Sequence, residues 1–60
     1  MKHYLFEVTA GDYEGEEFIV GANNFKEAQA IAYNVMETVH VKCHGTLSDE
    51  MAEASGLDEY

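Results

Sequence analysis

The strongest constraint on this chain is a pair of alternating stretches separated by five residues. Over residues 4–10, Tyr4, Phe6, Val8 and Ala10 fall on one face and Leu5, Glu7 and Thr9 on the other. Over 16–22, Phe18, Val20 and Ala22 share a face opposite Glu17, Ile19 and Gly21. A period of two marks a half-buried strand. Gly11-Asp12-Tyr13-Glu14-Gly15, polar and bounded by glycines, reads as a hairpin loop. That loop predicts Ala10 opposite Glu16, then Val8–Phe18, Phe6–Val20 and Tyr4–Ala22 on one apolar face. A slip of one residue would split the apolar sets between two faces. The reverse face carries Leu5, Glu7, Thr9, Glu17, Ile19 and Gly21. It is mixed and is expected to face mainly solvent.

A helix follows. Asn24 stands three residues before Glu27, the spacing of a capping box. Phe25, Ala28, Ile31, Ala32, Val35 and Met36 recur at helical spacing. Asn34 is a candidate for the left-handed residue that ends this helix. Residues 38–44 alternate again, with Val39, Val41 and Cys43 inward and Thr38, His40, Lys42 and His44 outward. Gly45 is expected to break that strand. Thr46 or Ser48 then caps a short second helix lined by Leu47, Met51 and Ala54. Gly56 is the left-handed terminator, Leu57 its apolar companion, and Asp58-Glu59-Tyr60 a frayed tail.

The order is ββαβα. A right-handed crossover through the first helix places the third strand beside the first. The expected fold is α+β: one domain over 1–60, with a three-stranded antiparallel sheet in order 2-1-3. The long helix covers one face, and a short C-terminal helix has no assigned dock.

A chain of this size buries only about 60% of its unfolded surface. Its core supplies roughly 3–5 kcal/mol, so such proteins usually need a further support. Cys43 is the only cysteine, which excludes an internal disulfide. Self-association or a protein partner is the remaining expectation. So short a domain leaves little room for a pocket of about 300 Å³ or more. The sequence holds no phosphate loop, G-x-S-x-G or H-E-x-x-H motif. Neither enzymatic activity nor a cofactor is expected. No apolar run approaches the ~20 residues that cross a bilayer. Met1-Lys2-His3-Tyr4 lacks a signal-peptide layout, and with the lone thiol this points to the cytoplasm.

Charge separates the functional classes. Twelve carboxylates face three lysines and no arginine, for a net charge of −9. Such a field repels nucleic acid and anionic membranes and attracts basic protein surfaces. It also serves solubility alone. Glu7, Asp12, Glu14, Glu16 and Glu17 concentrate on the hairpin, and Asp49, Glu50, Glu53, Asp58 and Glu59 on the second helix and tail. Like-charged side chains along a strand fall in the same spacing range as phosphates along nucleic acid. Tyr13, between Asp12 and Glu14, is the aromatic type that anchors interfaces. Folding back onto its own hairpin is the alternative. The expected contact surface is Asp12, Tyr13, Glu14, Glu16 and Glu17.

His40, Cys43 and His44 invite a metal reading. Zinc takes four ligands, and on a strand Cys43 points away from the two histidines. No metal is assigned. As a nucleophile, Cys43 would need an exposed, electropositive setting, and it sits among valines.

The run Gly21-Ala22-Asn23-Asn24-Phe25-Lys26-Glu27-Ala28-Gln29-Ala30-Ile31-Ala32, after a hairpin, resembles a layout of small phage and mobile-element proteins. Ala22, Glu27, Ala28, Ile31 and Ala32 match its A-x-x-x-x-E-A-x-x-I-A helix. Some small phage anti-CRISPR proteins are similar, with a further strand after the helix. The match spans about residues 4–44 and concerns core and cap positions, so it carries no functional residue across. It implies a phage or mobile-element origin, hence the host cytoplasm, and the acidic balance here departs from similar anti-CRISPR proteins that act through basic surfaces.

Acidity and resemblance together lead to an acidic interaction protein. Its expected partner is a basic host protein, such as the nucleic-acid-binding groove of a nuclease or CRISPR complex, blocked by competition. No direct nucleic-acid or membrane contact is expected. The alternatives are a homodimer joined through Leu5 and Ile19 or an exposed sheet edge, and a metal module at His40, Cys43 and His44.

Overall fold

The computed structural model describes residues 1–60. Five elements follow in order: β1 (Lys2–Val8), β2 (Glu17–Ala22), α1 (Phe25–Met36), β3 (Val41–Leu47) and α2 (Asp49–Ala54). The fold is α+β. The sheet order is β2-β1-β3 and both pairings are antiparallel, as a crossover through α1 requires.

The hairpin register differs from the expected one by two residues. Tyr4 pairs with Val20, Leu5 with Ile19 and Phe6 with Phe18. A two-residue slip keeps every side chain on its own face, so alternation cannot detect it. The loop decides. Val8 N–H donates to Glu16 O at 2.9 Å, and Gly15 N–H donates to Val8 O at 2.8 Å. Two residues thus oppose one, with Gly15 at φ +91. That is a bulge whose first position suits glycine. Ala10 therefore leaves the ladder. Phe6 and Phe18 gain a stacked pair with centroids 5.6 Å apart.

The face toward α1 is the core. Tyr4, Phe6, Val8, Phe18, Val20 and Ala22 are buried against Ala28 and Ala32, whose short side chains bring the helix close. Asn24 caps α1, its side-chain oxygen accepting from Glu27 N–H at 2.9 Å. The helix does not end at Asn34. It continues to Met36, and Glu37 takes the left-handed position at φ 54. The extra turn places Val35 and Met36 beside the sheet.

The third strand is also displaced. Residues 38–40 form the connection, Val39 is 64% exposed, and pairing starts at Val41. Gly45 does not break the strand. Leu5 alone spans the interval between Tyr4↔Thr46 and Phe6↔Cys43, where β3 supplies His44 and Gly45. Gly45 sits at φ +105, a region that side chains disfavour. The bulge reverses the alternation beyond it. Val41 and Cys43 pack toward α1, whereas Leu47 turns to the other face beside Leu5.

That second face is only partly open to solvent: Thr9 and Glu17 are exposed, Leu5, Glu7 and Gly21 half-buried. Ser48, not Thr46, caps α2, its hydroxyl accepting from Met51 N–H at 3.1 Å. Ala52 is buried, and Ile19, at 0% exposure, is fully sealed. Gly56 adopts the expected positive φ of 71. The tail is not frayed. Ile19 N–H donates to Asp58 O, Tyr60 N–H to Ile19 O and Gly21 N–H to Tyr60 O, at 2.8–2.9 Å. Residues 58–60 thereby run parallel to β2 along its outer edge, bridging at Ile19↔Glu59. Once Ile19 is covered, it is not available as a homodimer surface. Leu5 remains half-buried.

Candidate interaction site

Of the five expected contact residues, the structure gathers three. Asp12, Tyr13 and Glu14 occupy the loop, where Glu14 N–H donates to Gly11 O and Glu16 N–H to Tyr13 O. All five are exposed, and Tyr13 is 65% exposed, so its ring is not folded into the hairpin core. Tyr13, Glu16 and Glu17 border a groove of about 470 Å³ at the end of α1, while Asp12 and Glu14 stay outside it. The expectation that so short a chain lacks such a volume is corrected. The tail and the last turn of α1 provide walls that strand periodicity does not reveal.

The groove has two kinds of surface. Phe18, Val35 and Met36 make its apolar part, with Tyr60 set edge-on to Phe18 at 6.0 Å between centroids. Glu16, Glu17, Glu37 and Asp58 add carboxylates. Sequence reasoning missed Glu37, Asp58 and Tyr60. Glu37 follows from the position of the helix end, and the other two from tail pairing.

The positive charges lie elsewhere. No lysine makes an ion pair with a carboxylate; only Glu7, Asp49 and Glu59 have ion partners, and each partner is a histidine. His44 Nε2 meets Glu7 Oε1 at 2.7 Å across β3 and β1. His3 Nδ1 meets Glu59 Oε2 at 2.5 Å, and its Nε2 meets Asp49 Oδ1 at 2.6 Å. Both ring nitrogens can donate only in the imidazolium form. Its hydrogen bond to Glu59, then that to Asp49, raises the His3 pKa above the ordinary imidazole value. His3 thus ties β1 to the first turn of α2 and to the tail. The two carboxylates lie at opposite ring nitrogens, a geometry that does not converge on one ion.

No three of the His, Cys, Asp and Glu side chains form a set able to hold a metal. Cys43 is half-buried beside the core and accepts from Gly45 N–H at 3.4 Å. No helix is long and apolar enough to cross a membrane. No family model matches the chain, and neither a curated protein nor a solved structure does.

Below the other face of the sheet lies an apolar recess of about 450 Å³. Leu5, Leu47, Met51 and Leu57 line it, and Met51 is largely exposed.

Proposed function

We propose that this protein is an acidic interaction protein that binds a basic, nucleic-acid-binding surface of another protein and blocks it by competition. A phage-encoded inhibitor of a host nuclease or defence complex, of the DNA-mimic or anti-CRISPR kind, is the form this reading takes. The observation that carries it is the absence of any lysine partner for the carboxylates of the hairpin and groove. A protein with net charge −9 and unneutralised carboxylates projects a negative field that raises encounter rates with cationic surfaces. Asp12, Tyr13, Glu14, Glu16 and Glu17 form its contact surface.

The test is retention of host proteins on the immobilised chain, followed by elution with salt and with duplex DNA. A nucleic-acid-binding protein should be retained, displaced by DNA, and released as salt approaches about 1 M, where screening acts within ~3 Å. Replacing Asp12, Glu14, Glu16 and Glu17 by the matching amides should abolish retention. Retention indifferent to both salt and DNA would reject the reading.

A second reading, a homo-oligomer, is supported by the recess around Leu5, where Met51 stands exposed. Light scattering on the same sample separates the two. A stable dimer that retains no basic protein favours the second.

A further inference from the structure

We infer that the groove at the end of α1 seats an arginine side chain from the basic partner. This rests on the reading above and adds the chemistry of the contact. Three features converge on a planar cation carried on an apolar stem.

The first is the helix end. The unsatisfied carbonyls at a helix C-terminus carry partial negative charge, which a lysine, arginine or histidine in the last turn commonly offsets. The last turn of α1 has no basic residue, and Glu37 adds a full negative charge there. The chain leaves this end without a cation of its own. The second feature is the carboxylate set. Glu16, Glu37 and Asp58 come from the hairpin, the helix cap and the tail, and none has an ion partner. A guanidinium offers five donors in a fixed fork, which matches carboxylates from several directions better than a point charge does.

The third feature is the apolar and aromatic lining. Val35 and Met36, both half-buried, suit the methylene stem of the side chain, while Phe18 is buried in the core beside them. Tyr60 is fixed by its backbone pairing to β2, and exposed Tyr13 also lines the groove. Arginine stacks on aromatic faces more readily than lysine. Solubility alone explains exposed carboxylates, but not their meeting an apolar floor and two tyrosines at a helix end without a cation.

The experiment is a backbone amide chemical-shift titration of the whole chain with acetylated, amidated tetra-arginine and tetra-lysine peptides. At about 0.15 M salt, long-range attraction between exposed charges is largely screened. Shifts should concentrate at Phe18, Met36, Glu37 and Tyr60. Tetra-arginine should bind at least about threefold more tightly than tetra-lysine. The Glu16→Gln/Glu37→Gln variant should lose about tenfold in affinity for tetra-arginine. Glu50→Gln/Glu53→Gln removes the same charge from the opposite side of the sheet and should change affinity by less than about twofold. Unchanged melting temperatures would confirm that both variants fold.

Equal losses in the two variants, or equal affinity for the two peptides with diffuse shifts, would overturn the arginine seat. The acidic interaction reading would survive that result. Absence of binding by either peptide would also overturn the seat, and host-protein retention would then judge the broader reading by itself.

Discussion

The two faces of the sheet are closed by different physics. Toward α1, six strand residues and two alanines form a continuous apolar cluster. Toward α2, Ile19 and Ala52 are the buried residues, and the closure relies on backbone pairing of the tail and on His3. The first face is closed by apolar packing, with no ion pair among its eight core residues. On the second face, three backbone hydrogen bonds and the two contacts of the His3 ring with Glu59 and Asp49 substitute for a core. A small protein can close a second layer with polar links once its apolar residues are used on the first. That layer is then the weaker one, and the tail residues that line the groove belong to it.

Breaking the first face should have the largest effect. Phe6→Ala removes a fully buried ring stacked on Phe18. Such truncations cost about 3–5 kcal/mol, comparable to the roughly 3–5 kcal/mol such a core provides. The variant should be unfolded at room temperature, as read by loss of near-ultraviolet circular dichroism. A cooperative, native-like melt would show that the second face carries the larger share of stability.

Removing residues 58–60 should open the second face and also strip Tyr60 from the edge of Phe18 on the first. Three backbone hydrogen bonds disappear, each worth a net ~1 kcal/mol. Hydrogen exchange should accelerate at the Ile19 and Gly21 amides, while amides of β1, which lies between two strands, keep their protection. Uniform acceleration would mean that the two faces do not open separately.

The smallest effect sharpens the comparison through pH. The His3 pKa is raised in the folded chain by Glu59 and Asp49. Below the unfolded value of about 6.5 the imidazole is charged in both states, and its contribution is fully present. Above that, the unfolded chain loses its proton first, and the contribution fades as pH rises through the folded pKa. Melting temperature should therefore fall, relative to a His3→Gln variant, as pH rises above about 6.5. Parallel curves for the two proteins would remove His3 from the closure. The α1 face should show no corresponding dependence.

Much of the fold was legible because apolar spacing reports which side of an element is buried. The order ββαβα follows from that spacing, the sheet order from the right-handed crossover, and the α1 cap from the three-residue step between Asn24 and Glu27. The hairpin register escaped because a two-residue slip leaves the facing unchanged. Val39 continues the alternation of the third strand although it lies outside the ladder. A bulge and a strand end share one glycine signal, so Gly45 alone does not distinguish them. The candidate site was only half legible. Tyr13, Glu16 and Glu17 stood out by charge and loop position, but Glu37, Asp58 and Tyr60 reach the groove through backbone geometry.

By itself the sequence determined the alternation, the helix start, the glycines able to take positive φ, and an excess of negative charge. These are local properties, fixed by residue type and spacing. Only the tertiary structure decided that Leu47 crosses to the second face, that residues 58–60 run along β2, and that His3 holds two carboxylates. Each depends on residues far apart in the chain finding one another. One bulge, or one edge left free by the sheet, settles them after the local pattern has done its part.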